Sequence, residues 1–331
     1  MRKFLYAAGI AATLLSCNEA ERELTGASVA AEVTLRILPA GTKGEAEGQN
    51  GTCDIFIFYG EAGYSGQLET HRRFSQGKEL KLQATAGKRE IFAILNMDEH
   101  DFSAVCTKSD LLSSVSRLEE NKDGRFHMTG FRIVELKEGG NLLDITVRRF
   151  AARVKLKKIT RRFSPKALAK QDFVIKEVFL SNAIRQSGFS SDYMPSEDDF
   201  VNKLGVTDTR FDYWLRRRID RALAQNESFD TEQVLYTYPN PFTIDAQETP
   251  FTVRNTKLVV HASLDGESCY YVIALGALER NKSYEISELT LTRRGTDTPE
   301  EGMDLSGCEF KFSVSPWTTI PIENENGNYT I

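Results

Sequence analysis

The chain is poor in the residues that build catalytic centres. Its four histidines are His71, His100, His127 and His261. None stands in an HExxH pair, and none lies near a GxSxG serine turn. No GxGxxG or GxxxxGKS/T loop is present, so the backbone cradle of nucleotide phosphates is missing. No CxxC pair occurs, and the cysteine spacings match no zinc pattern. No nucleophile and base can be assembled from these residues, which speaks against an enzyme and against a cofactor or a metal. Net charge is −5, with no basic excess to favour nucleic acid. Only two tryptophans, Trp214 and Trp317, are available, and both suit packing roles. No segment approaches the ~20 apolar residues that a membrane-spanning helix needs.

What is present begins at the N-terminus. Arg2 and Lys3 precede an apolar run, Phe4 to Leu15, too short to span a ~30 Å hydrocarbon core as a helix. It has the form of a signal-peptide h-region. The run ends in Leu14-Leu15-Ser16-Cys17, which resembles a lipobox. That resemblance implies cleavage before Cys17 and acylation of its thiol with two or three chains such as palmitate. Two or more chains anchor a protein firmly where one does not. Residues 1–16 are thus expected to be a lipoprotein signal peptide and residues 17–28 a polar tether. Glu19, Glu21 and Glu23 resemble the acidic signals that mark lipoproteins for the outer face of the outer membrane.

The remaining 315 or so residues suggest two domains. Period-2 alternation and β-branched or aromatic content predict strands at Val29–Leu38, Cys53–Tyr59, Leu80–Ala84, Glu90–Leu95, Phe126–Met128, Arg132–Leu136, Leu142–Val147, Phe150–Ile159 and Phe173–Leu180. Further strands are expected at Thr256–Ser263, Tyr270–Leu275, Tyr284–Thr292, Glu309–Val314 and Thr318–Ile322. Leu111–Leu118 reads as a short helix. Phe211–Gln225 reads as another, with Phe211, Leu215, Ile219, Ala222 and Leu223 on one side. The class is all-β, with sandwiches and a short helical insertion. The boundaries expected are 29–185 for the first domain and 186–331 for the second, with a helical linker at its start.

Several local features have two readings. Cys53, Cys106, Cys269 and Cys308 permit three disulfide pairings, or are four separate thiols. Asp98-Glu99-His100-Asp101 could hold a cation, and equally forms a solvated turn after a strand. Asp297 to Glu301 reads as a hairpin loop. The basic stretch from Arg148 to Arg162 alternates with apolar residues, so Val154 and Leu156 should face inward while Arg153 and Lys155 face solvent. Arg216-Arg217-Arg218 is expected on the outer side of the predicted helix. Tyr236 to Asn240 could offer a small aromatic platform for a glycan.

Taken in order, several stretches resemble the fimbrillin family, the type V pilins and fimbrial anchor proteins of Bacteroidia. They are CDIFIFYGEAG from Cys53, AGKREIFAILN from Ala86 to Asn96, and Phe126-His127-Met128-Thr129-Gly130. VRRFAARVKL from Val147, LERNKSYEISELTLTRRGTDTPE from Leu278 and FSVSPWTT from Phe312 complete the set. The 186–232 stretch departs from the pattern. The resemblance implies two transthyretin-like β-sandwich domains in tandem. It also implies a surface-fimbrium subunit whose partners are other fimbrial subunits, joined by strand exchange.

Within that family, stalk pilins are cut by an arginine- or lysine-specific protease in the loop after the first strand, losing lipid and strand together. Here that loop, Pro39 to Thr52, holds Lys43 as its only basic residue and no arginine. This points to the lipid-anchored base subunit. A stalk subunit released after Lys43 and a glycan-binding surface lipoprotein are the alternatives. The tail Thr318 to Ile331, with Ile320, Ile322, Tyr329 and Ile331 as alternating plugs, is the candidate donor strand, or else closes the chain's own second sandwich.

Overall fold

In a computed structural model, residues 29–40, 51–75, 79–122, 124–164, 166–203, 206, 208–243, 254–300 and 308–317 are described. The first half runs β1 (Ala30–Pro39), β2 (Thr52–Tyr59), β3 (Leu68–Ser75), β4 (Leu80–Thr85), β5 (Gly87–Leu95), α1 (Lys108–Leu112), β6 (Val115–Arg117), β7 (Met128–Leu136) and β8 (Gly139–Arg149). There follow β9 (Ala152–Arg161), α2 (Lys166–Ala169), β10 (Phe173–Ser181), β11 (Ala183–Ile184), β12 (Gln186–Gly188), β13 (Phe200–Val201), α3 (Asp212–Leu215) and β14 (Arg216–Ala222). The chain continues through β15 (Ser228–Thr237), β16 (Lys257–Leu264), β17 (Glu267–Ala274), β18 (Lys282–Leu291) and β19 (Cys308–Pro316). Among the described residues no helix is long and apolar enough to cross a membrane.

The first seven-stranded sheet has the order β3-β2-β5-β7-β8-β1-β4 and folds over on itself. The fold line is where β7 meets β8, which pair only through Met128–Arg149 and Thr129–Arg148. Gly130 marks the crossing. A Cβ there would lie 2.5 Å from the Thr146 carbonyl oxygen and 2.9 Å from Ile145 Cγ2, so only glycine fits. The two halves of the sheet enclose one core, with Val33, Leu35, Leu82 and Ile145 facing Ile55, Ile57, Ile91 and Ala93. A satellite cluster of Phe56, Phe58, Phe92 and Ile94 on the outer face is covered by Met97, Phe102, Val105 and Leu111.

The second half repeats this plan. Two four-stranded sheets, β15-β9-β18-β19 and β14-β10-β16-β17, enclose a core that includes Val154, Leu156, Ile175, Val260 and Ile286. In chain order β9, β10, β14, β15, β16, β17 and β18 take the places of β1, β2, β3, β4, β5, β7 and β8. The pairing senses agree throughout. The β1–β8 and β9–β18 ladders are parallel, and the β1–β4 and β9–β15 ladders antiparallel. The β2–β3, β2–β5 and β5–β7 ladders match β10–β14, β10–β16 and β16–β17. The chain is thus a tandem duplication at the level of topology. Among the described residues, β19 is the one large strand of the second half without a counterpart in the first.

Three expectations are corrected. The helix expected over Phe211–Gln225 is one turn, α3, followed by the edge strand β14. The apolar spacing there suits a helix, but β10 has an edge whose backbone groups need partners, and pairing overrides propensity. Arg216 consequently sits on a strand, where its Nη1 donates to Glu177 Oε2 at 2.9 Å. The boundary at 185/186 also moves. β9 and β10 pair with strands of the second half, so the division between sandwiches falls near Phe150. The expected linker supplies β14 and β15, which belong to the second sandwich itself. Finally, Leu111–Leu118 is α1 and then β6, not one helix.

Alternation along β9 places Val154 and Leu156 inside, each 1% exposed. Arg153 and Lys155 are half-buried rather than exposed, because β9 lies between β15 and β18. Cys53, Cys269 and Cys308 are buried thiols, and none of the four cysteines from Cys53 onward is bridged to another.

Candidate functional site

The first strand is the element on which the expected assembly chemistry turns. β1 is the middle strand of the β4-β1-β8 portion of its sheet. It pairs antiparallel with β4 from Ala30–Thr85 to Leu35–Leu80. It pairs in parallel with β8 from Ala31–Gly139 to Pro39–Val147. Ala31, Val33 and Leu35 point inward and are at most 1% exposed. Each buried Val or Leu contributes roughly 1.5–3 kcal/mol relative to exposure. Outward, Arg36 makes a bidentate ion pair with Asp144 of β8 at 2.7 and 2.9 Å. Both partners are solvent-exposed, so the pair aligns the strands more than it stabilises them. The Ala86 N–H donates to Val29 O and the Ala40 N–H to Val147 O, which fastens both ends. Withdrawing β1 would open a slot with unpaired backbone on both walls and an apolar floor.

Ala40 is the last described residue before Lys43. At that point the chain meets the junction between sandwiches. Arg149, at the end of β8, is fully buried. Its Nη1 donates to Ala40 O at 3.3 Å, to Asn281 Oδ1 at 3.0 Å and to Trp317 O at 3.4 Å. The guanidinium lies 4.6 Å from the centre of the Trp317 ring, and Arg153 lies 4.8 Å from the same ring. Burial, with Arg153 adding to it, holds the Arg149 pKa down to about 10. Arg280 spans the same junction, donating to the carbonyls of Arg148 and Arg149 and stacking 4.3 Å over Phe150. In the sequence Arg149 looks like one more solvated cation of a basic strand. Nothing in the alternation reveals that two carbonyls, an amide oxygen and an indole await it.

β19 is an edge strand, antiparallel to β18. Phe312 and Val314 are 41% and 49% exposed, although their partners on β18, Ile286 and Tyr284, are buried. Trp317 follows β19 and turns inward, packed against Phe126 and Tyr236. Beyond it lies the expected donor tail. Ile320, Ile322, Tyr329 and Ile331 lie outside the described residues, as do Cys17 and Lys43.

The other candidate features are absorbed by the fold. Asp98 accepts from Arg125 Nη2 at 2.7 Å and from the Thr52 N–H and hydroxyl. Among the described residues no group of three or more His, Cys, Asp or Glu could hold a metal ion. The aromatic platform is overturned. Tyr238 is wholly buried, and Tyr236 packs among Phe126, Trp214 and Trp317.

No family model matches the sequence, and no curated protein matches it. Solved structures do. A Bacteroides eggerthii protein named for cell adhesion superposes with a TM-score of 0.68 at 19% identity, covering 88% of this chain and 97% of its own. A fimbrilin of Porphyromonas gingivalis gives 0.62 at 14% identity, covering 87% and 98%. A tip fimbrial protein of Porphyromonas gingivalis, truncated at its C-terminus, gives 0.57 at 11% identity, covering 87% and 100%. Over almost the whole of those chains and most of its own, this chain has the two-sandwich fold of a fimbrilin.

Proposed function

We propose that this chain is a structural subunit of a surface fimbrium, anchored in the outer membrane by lipid on Cys17 and joined to its neighbours by strand exchange. The observation that carries the reading is β1 itself. It is paired on both sides, by β4 and β8, and plugged by alternate side chains. The chain segment between β1 and β2 contains Lys43, so a cut there would separate β1 from every later strand. A slot of that kind accepts a strand from another subunit, with main-chain bonds for affinity and alternate side chains for register. The likeness in fold to a fimbrilin and a tip fimbrial protein supports it.

The position in the fibre follows from what the loop offers. Lys43 is its only basic residue, beside acidic Glu45 and Glu47. An uncut loop leaves β1 seated and the lipid attached, which describes the base of a fibre. The donor is then the tail Thr318 to Ile331, roughly 45 Å long if extended at ~3.3 Å per residue. Removing residues 318–331 should leave a folded surface lipoprotein and cells whose fibres are shed into the medium, as seen by electron microscopy. Fibres retained at normal length and number by that variant would count against the anchor role.

A further inference from the structure

The C-terminal ends of β1 and β19 converge on one side chain. Ala40 closes β1, Trp317 closes β19, and Asn281 immediately precedes β18. All three are bonded by Arg149 Nη1, and the Trp317 N–H in turn donates to Asn281 O at 3.0 Å. Trp317 is 2% exposed, with its ring 4.9 Å from Phe126 and 5.5 Å from Tyr236. We infer that Arg149 couples the seating of β1 to the docking of the C-terminal segment, so that a subunit holding its own first strand keeps β19 and Trp317 parked.

The coupling has a physical route. A guanidinium presents its donors in a rigid planar fork, so the positions of its acceptors are mutually dependent. The end of β1 covers Arg149 and supplies one of the carbonyls that replace water around it. When β1 leaves, that carbonyl goes and water reaches the guanidinium. Bonds that were strong in a dry site then compete with hydration, and the hold on the Trp317 carbonyl and ring weakens. Linkage makes the effect reciprocal: loosening Trp317 must loosen β1 by the same factor. The biological use of this device rests on the exchange reading above. The coupling itself belongs to the isolated chain and stands or falls separately.

The test uses the full-length protein with a specific protease site replacing residues 44–50. Nicking leaves β1 seated without a covalent link. Its exchange against an excess of fluorescent peptide of residues 29–40 is then followed by loss of the native strand. Trp317→Ala and Arg149→Met should each speed exchange at least tenfold, and the double variant should be no faster than the faster single one. Leu289→Ala, in the second core away from the junction, serves as the stability control and should leave exchange within twofold. In the nicked parent chain, amide hydrogen exchange over 308–317 should rise at least tenfold when β1 is competed off by a peptide ending before Ala40. Unchanged β1 exchange in both single variants would overturn the inference. So would acceleration no greater than that of Leu289→Ala at matched melting temperature. Neither result bears on whether the chain sits in a fimbrium, which the shed-fibre experiment decides.

Discussion

His127 illustrates how single residues hold the junction together. Its ring Nδ1 lies 2.7 Å from the Ser116 hydroxyl, which lies 2.6 Å from the Tyr238 hydroxyl. Asn121 Nδ2 donates to the same Tyr238 oxygen, and the His127 N–H donates to Asn121 Oδ1. Tyr238 comes from the second sandwich and the other three from the first, so the network ties one to the other. Burial drives the His127 pKa down from 6.5 to about 4, against the smaller upward pull of Glu120 and Asp98. The neutral ring is thus the folded form, while the unfolded chain takes up a proton below about pH 6.5. Stability from this group is full above pH 6.5 and falls as the pH drops toward 4. The loss is up to about 3 kcal/mol at ~1.4 kcal/mol per unit. Chemical denaturation at pH 7 and pH 4.5 should show this fall in the parent, and a shallower one in His127→Gln. Equal slopes would show that the imidazole does not report on the fold. Leu156, 1% exposed in the middle of β9, is the simplest core test. Leu156→Asp should cost more than about 3 kcal/mol by leaving a buried charge unpaired, read as a lowered melting temperature. The sequence showed which face of β9 turns inward, because period-2 alternation marks burial. It could not show that Arg149 and Arg161 of the same stretch are buried, since their partners are mostly backbone carbonyls, which no residue type in the sequence marks.

At the scale of elements, most of the long strands were legible from alternation and β-branched content, β1, β2, β5 and β16 among them. β3, β14 and β15 were not. β3 (LETHRRFS) is an edge strand rich in polar residues, with Glu69 paired to buried Arg89 and His71 and Arg73 to buried Asp54, so it shows no apolar stripe. β14 carries arginines along an edge, a common guard against edge-to-edge association, on a spacing that mimics a helix. β1 is the element on which the proposed exchange turns. Leu35→Ala removes a plug from its centre and should cost about 2–5 kcal/mol in two-state unfolding. The Arg36 ion pair on the outer face is exposed, and Arg36→Ala should change stability by less than about 1 kcal/mol. A Leu35→Ala loss no larger than that of Arg36→Ala would mean that β1 is not held by its plugs.

For the whole molecule, the duplication is the organising fact. Two sandwiches of the same topology stand in tandem, and the second carries one further strand at its edge followed by a tail. The duplicated topology was only dimly legible beforehand. Sequence shows strand spacing, whereas topology depends on which edges meet, and the boundary was placed too late because β9 and β10 look like continuations of the first domain. Of the expected site, the first strand was legible; Lys43 and the alternating tail lie outside the described residues and remain proposals. The junction at Arg149 that brings the ends of β1 and β19 together was not legible. The central claim is that this chain keeps its first strand and its lipid while serving in a fibre. Mass spectrometry of its N-terminus in fibres sheared from cells tests that most directly. The account predicts that the chain is recovered with the fibres and begins at an acylated Cys17. A chain that begins at Gly44, having lost lipid and β1 together, would contradict it and make this protein a stalk subunit.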